Sequence, residues 1–272
     1  MSASDDADAS PAVVLSLEGA IASISLNRPK ALNALTPELA TSLLGAIETV
    51  AADTEVRLLI VRGVGRAFMA GGDLVYLRDS TPEEAFARSG ALIDQLNAIV
   101  RALSNLTIPT LAVAHGAVAG AGLSLLLACD YAIATDDTRF VYAYNAIAAS
   151  PDGGLSRALV GLLGYRRAIE LAFLGSRLPA AEAHRLGIVT ELASTEEFEA
   201  RTQELAARLV QLPLRAFVET KRLMQAAQGI ELDAQLERER DAFQRCSQTG
   251  DLREGVLAFF EQRPARFADN RL

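Results

Sequence analysis

In the stretch FVYAYNAIAASPDGGLS, residues 140 to 156, Asp152 is the one acid among small, apolar and aromatic residues and glycines. A carboxylate buried in such company has its pKa raised, because loss of water penalises the charged form, and it becomes a more effective proton acceptor. Pro-Asp-Gly also builds ordinary turns, so residue types alone leave Asp152 as either a base or a turn residue. Two glycine-rich stretches offer complementary chemistry: GRAFMAGGDL (65 to 74) and HGAVAGAGLSL (115 to 125). Neither has the GxxxxGK[ST] or GxGxxG spacing of a phosphate-cradling loop. Each follows a predicted strand, and glycine lets a backbone approach a ligand with its N–H groups turned outward. Two such donors aimed at one point would form an oxyanion hole, whereas either loop alone is equally well explained by tight strand-to-helix packing.

Other polar residues read as structural. His115 precedes a glycine at a strand end and is expected in the core, and His184 lies within a short helix. Asp130 should cap backbone after a buried helix, and Asp73 should brace the first glycine loop. Tyr142 and Tyr144 fit either a ligand-pocket wall or plain strand aromatics. Cys129 and Cys246 have no metal or disulfide spacing, as expected in a reducing, cytoplasmic setting.

The elements that must position these groups alternate in type. AVVLSLEG and AIASISLN predict a hairpin meeting at Glu18 and Gly19, and Thr36, Pro37 and Glu38 open a helix to about Val50. RLLIVRG (57 to 63) reads as a buried strand. Thr81 and Glu84 form a capping box for a helix to about Ser104. Strand LAVA (111 to 114), a helix from Gly120 to Ala128 and strand YAIA (131 to 134) follow, which predicts a layered α/β core. Residues 110 to 129 have the length of a membrane span, but three glycines and His115 interrupt them, so they read as strand, glycine turn and helix. Ser194 and Glu197 form a second capping box, and residues 195 to 262 read as helices broken near Pro213, Gly229 and Gly250. The expected organisation is a disordered tail (1–11), an α/β core (12–194) and a C-terminal helical region (195–272) that buries an apolar stripe against another subunit.

The chain has 272 residues, half of them hydrophobic, and a net charge of −8, which argues against nucleic acid and membrane surfaces as partners. An anionic ligand therefore needs a local basic patch.

Taken together and in order, NRPKALNAL (27 to 35), AFMAGGDL (67 to 74), HGAVAGAGLSLLLACDYAIA (115 to 134), SPDGG (150 to 154), AHRLGIVTEL (183 to 192) and FFEQRPARF (259 to 267) resemble the crotonase superfamily, the enoyl-CoA hydratase/isomerase family. The resemblance implies a spiral of ββα units closed by a C-terminal helical oligomerisation region, assembled as a homotrimer or a dimer of trimers. It implies acyl-CoA thioesters as substrates, with coenzyme A part of the substrate and no tightly bound cofactor or metal. The two oxyanion amides would fall on Gly72 and Ala121, beside Met69, Ala70 and Gly71. Coenzyme A contacts would come from Arg28, Lys30, Ala31, Leu32 and Ala34, and from Lys221 in the helical region. Family hydratases use two glutamates, and their positions here hold Ser124 and Tyr144, which the resemblance places against the acyl group. Dehalogenases of the family need a histidine on the helix over residues 82 to 104, which has none. The pattern with Asp152 as the single acid is most similar to that of the ring-epoxide isomerases. The implied reaction is an isomerisation, by double-bond shift or ring opening, with Asp152 as proton shuttle. The alternatives are a hydratase with atypical water activation and a non-catalytic CoA-binding member.

Overall fold

Alternating apolar and polar residues bury every second side chain of β2 (Ile21–Leu26), which pairs antiparallel with β1 (Val13–Glu18) as the expected hairpin. The structure, a computed structural model, describes residues 10–78, 80–175, 177–227 and 231–267. Of the expected tail, residues 1–9 lie outside the described residues. The carbonyl of Pro11 accepts from Asn27 Nδ2 at 3.0 Å, which ties that end to the strand pair.

Thr36 caps α1 (Pro37–Ala52) by accepting from the Leu39 N–H. From there the chain repeats one unit: a long strand, a sharp turn, a short strand, then helix. The first repeat is β3 (Leu58–Gly63), β4 (Ala67–Met69), α2 (Val75–Arg78) and α3 (Pro82–Asn105). Both halves of the Thr81–Glu84 capping box are formed at the start of α3. The second is β5 (Thr110–Ala114), β6 (Ala117–Ala119) and α4 (Ala121–Ala128); the third is β7 (Tyr131–Thr135), β8 (Arg139–Val141) and α5 (Leu155–Leu163). After α6 (Tyr165–Phe173), β9 (Arg177–Pro179), α7 (Ala180–Arg185) and β10 (Glu191–Ala193) complete the strands.

Among the described residues the long strands and the three-residue β10 form one sheet in the order β1-β2-β3-β5-β7-β10, and the other short strands form a second, β4-β6-β8-β9. The inner strands β3, β5 and β7 of the first sheet are buried on both faces, so they read as near-continuous apolar runs. Leu59 and Val61 of β3 enter the main core with α1, α3 and α4, while Leu58 and Ile60 meet Leu205, Ala206 and Leu209 of α8 (Phe198–Val210). No helix among the described residues is long and apolar enough to cross a membrane. Residues 110 to 128 divide instead into β5, β6 and α4.

The helical region continues with α9 (Leu214–Ala226), α10 (Leu232–Ser247) and α11 (Gly250–Glu261). The expected breaks at Pro213 and Gly250 are present, and Gly229 lies outside the described residues. The second capping box is not formed. Ser194 follows β10 directly, three turn residues intervene, and the Glu197 carboxylate accepts from the Ser194 hydroxyl rather than from its backbone N–H.

Candidate active site

Strands β4, β6 and β8 lie side by side and parallel, so their C-terminal ends deliver residues 70–72, 120–121 and 142–152 to one rim of the second sheet. The two glycine loops pack directly on each other. Gly71 (φ +101°) and Gly120 (φ +50°) take backbone conformations that L side chains rarely adopt, and a Cβ on Gly122 would stand 2.2 Å from the carbonyl oxygen of Met69. Glycine is thus required for both the turns and the approach.

This packing leaves two amides without acceptors. Leu35 N–H donates to Gly71 O at 2.8 Å and Asp73 N–H donates to Leu35 O at 2.9 Å, so the Gly72 N–H between them has no partner among the described residues. Ala121 is the first residue of α4, where an N–H has no intrahelical acceptor and the helix dipole favours negative charge. Gly72 and Ala121 both line a cavity of about 190 Å³. Its wall is mainly apolar: Leu35, Ala70, Gly71, Leu74, Leu92, Ile93, Leu96, Ala143, Ile147 and Ala149, with Ser89, Ser150, Tyr144 and Asp152 as its polar side chains.

Asp152 proves to be both turn residue and cavity residue. Its carbonyl accepts from the Leu155 N–H at 3.1 Å, with Gly153 and Gly154 at positive φ, while its half-buried side chain reaches the cavity. The hydroxyl of Tyr144 donates to Asp152 Oδ1 at 2.6 Å. Ser124 Oγ donates to the Asp152 carbonyl at 3.1 Å and lies 3.4 Å from the Tyr144 hydroxyl. Burial pushes the Asp152 carboxyl above its ordinary value, and the bond from Tyr144 holds part of that rise back. Burial, then the neighbouring Asp152 charge, push the Tyr144 phenol upward, so it stays a neutral donor.

Several expected substrate contacts have other duties. Ser124 is buried against Gly153 and is a brace, not a cavity wall. Met69 is fully buried in the core beneath the first loop. The Arg28 guanidinium is held by Asp73 at 3.1 Å and donates to the Ala34 carbonyl at 2.6 Å, tying the segment after β2 to the first glycine loop. Asp73 therefore braces as expected. Lys221 is engaged within the chain: its ammonium is buried, 3.0 Å from the Asp130 carboxylate, and donates to the carbonyls of Leu103 and Leu106. Lys30 is exposed, on a single 3₁₀ turn over Pro29–Ala31. Ala31, Leu32 and Ala34 follow it beside the first loop, where the Leu32 carbonyl accepts from the Ala70 N–H, but none lines the cavity. Tyr142 is buried behind Tyr144; β8 ends at Val141, so neither is a strand aromatic.

Sequence reasoning passed over Asn33 and the cavity face of α3. Asn33 is fully buried, donates to the carbonyls of Ala67 and Phe68, and accepts from the Arg28 N–H, so it sets the path of β4 into the first loop. Its signal was a polar residue inside the apolar ALNAL. Ser89, Leu92, Ile93 and Leu96 follow a helical spacing that marks a covered face without saying what covers it. His115 lies 2.7 Å from the carbonyl of Gly65 and His184 3.1 Å from that of Val189, both holding loops. Burial pushes the Cys129 thiol up to about 12, far from a reactive thiolate.

The ββα spiral with paired glycine loops over an apolar cavity is the crotonase fold. Residues 16–270 match the family model described as enoyl-CoA hydratase/isomerase, and the chain belongs to that family. It is 33% identical over 252 residues to the 1,2-epoxyphenylacetyl-CoA isomerase of Escherichia coli, covering 92% of this chain and 96% of the relative. It is 30% identical to the crotonyl-CoA hydratase of Syntrophomonas wolfei, covering 94% and 97%. Among solved structures, an enoyl-CoA hydratase from Polaromonas sp. JS666 superposes with a TM-score of 0.86 at 32% identity, over 94% of this chain and 99% of that one.

Proposed function

We propose that the protein is an acyl-CoA isomerase in which Asp152 shuttles a proton while Gly72 and Ala121 hold the thioester oxygen. The observation that carries this reading is the cavity's inventory: two unpaired amides and, among the described residues, a single carboxylate. On a 3-enoyl thioester, Asp152 takes the proton from the carbon between the carbonyl and the double bond. The electron pair passes to the carbonyl oxygen, where the two amides stabilise the dienolate by about 3 kcal/mol per donor. Asp152 then returns the same proton two carbons further on, leaving a conjugated 2-enoyl thioester with nothing gained or lost. An enolate of this kind also accommodates opening of a strained ring, the chemistry that the Escherichia coli relative's name describes. Hydration needs a second titrating group to orient and split water, and neither Ser124 nor neutral Tyr144 supplies one near pH 7.

In this reading coenzyme A enters as part of the substrate and exposed Lys30 is free to meet its phosphates. No resident cofactor, nucleic acid or membrane takes part. The apolar side chains exposed along α10 and α11 support assembly as a homotrimer or dimer of trimers. The test is to incubate wild type and Asp152→Ala with 3-enoyl-CoA and with 2-enoyl-CoA, following absorbance of the conjugated thioester. Conversion of 3-enoyl-CoA should fall by about 10²-fold or more in the variant. Hydration of 2-enoyl-CoA that survives in Asp152→Ala points to a hydratase instead, and CoA binding without turnover of either substrate to a non-catalytic member.

A further inference from the structure

We infer that Tyr144 is a positioning residue for the base, pinning Asp152 Oδ1 so that Oδ2 is the oxygen offered to substrate. A carboxylate on a turn can rotate about its last torsion and present either oxygen, and a single strong donor removes that freedom. The donor here is 2.6 Å from Oδ1, and no other side chain among the described residues donates to this carboxylate. Tyr144 is itself held. It is 7% exposed, its ring packs edge-on against Tyr142 at 5.2 Å, its N–H donates to the Tyr142 carbonyl, and its own carbonyl accepts from the Ala149 N–H. Ser124 completes the arrangement from α4 by fixing the Asp152 backbone carbonyl and standing beside the Tyr144 hydroxyl. Side chain and main chain of the base are thereby anchored from two separate elements. The same bond stabilises the ionised carboxylate, opposing the upward push of burial.

In its kinetic readout this inference rests on Asp152 as the shuttle; in its titration readout it does not. Label the protein with ¹³C-aspartate, assign the Asp152 carboxyl signal by its loss in Asp152→Asn, and titrate wild type and Tyr144→Phe. Phenylalanine keeps the ring and its packing, and near-ultraviolet circular dichroism verifies the fold. The Asp152 midpoint should rise by about one pH unit in Tyr144→Phe. With 3-enoyl-CoA, the acid limb of the rate profile should move up with it, and kcat should fall about tenfold while KM stays within about twofold, as for a lost transition-state orientation. A tyrosine that merely fills space predicts an unmoved midpoint, limb and kcat, and that result overturns the inference. Turnover that survives in Asp152→Ala overturns the shuttle, and the titration then still decides the part played by Tyr144.

Discussion

At the scale of single residues, the site depends on an acid held where charge is costly. Because burial raises the Asp152 carboxyl above its unfolded value, the folded protein binds that proton more tightly than the unfolded chain does. Stability is therefore lost as pH rises from the ordinary aspartate range through the folded value, and stays lost at neutral pH. Asp152→Asn keeps an acceptor for Tyr144 without the charge, so it should be more stable than wild type at pH 7 while losing turnover. Urea midpoints of the two proteins should converge on acidification below pH ~4, the unfolded aspartate value; a gap that widens there instead contradicts a buried base. The lone acid of FVYAYNAIAASPDGGLS was legible because its company was so apolar. Its partner was not. Tyr144 looks like any strand aromatic in that string, and only the end of β8 at Val141, followed by a 3₁₀ turn, brings its hydroxyl to Asp152.

At the scale of elements, the geometry of the site depends on how closely two loops approach. A Cβ at Gly122 would meet the Met69 carbonyl at 2.2 Å, a backbone atom that cannot swing aside, so Gly122→Ala must push α4 away from β4. The expected cost is about 1–3 kcal/mol of stability from overpacking, with a loss of turnover, because the Gly72 and Ala121 amides then diverge. Gly72→Ala is the matching control: its added methyl meets nothing within 4 Å and its φ is ordinary, so stability should change by less than about 0.5 kcal/mol while the methyl crowds the thioester. Equal destabilisation of the two variants in chemical denaturation would show that the contact at Gly122 does not matter. Element types were readable from capping, alternation and glycine breaks, as the complete Thr81–Glu84 box shows. The same motif misled at Ser194 and Glu197, because a three-residue turn can use a serine and a glutamate as well as a helix start can.

At the scale of the whole molecule, the helical region is joined to the α/β core by groups that sequence could not pair. Lys221 and Asp130 stand 91 positions apart, yet their side chains are 3.0 Å apart and only 6% and 15% exposed. Asp130 also accepts from Thr110, so the pair links α9, the end of α4 and the start of β5. Lys221→Met strands that carboxylate and should cost about 3–5 kcal/mol, read as a lower denaturation midpoint; a change below 1 kcal/mol would mean that water already compensates the charge. Beyond this joint the helical region leaves much apolar surface uncovered. Leu232, Leu236, Phe243, Phe259 and Phe260 on α10 and α11 are 51% to 79% exposed. Large apolar groups gathered on two successive helices support the proposed subunit interface, since each exposes area that burial would stabilise by about 25 cal/mol per Å². Sedimentation equilibrium of the wild type should give a mass of three or six times 28.9 kDa. Phe259→Ser with Phe260→Ser removes two of the largest exposed rings from one helix and should move that mass toward the single chain while circular dichroism stays unchanged. A wild type that sediments as a monomer would refute the interface, and an unaltered oligomer in the double variant would place it elsewhere on the molecule.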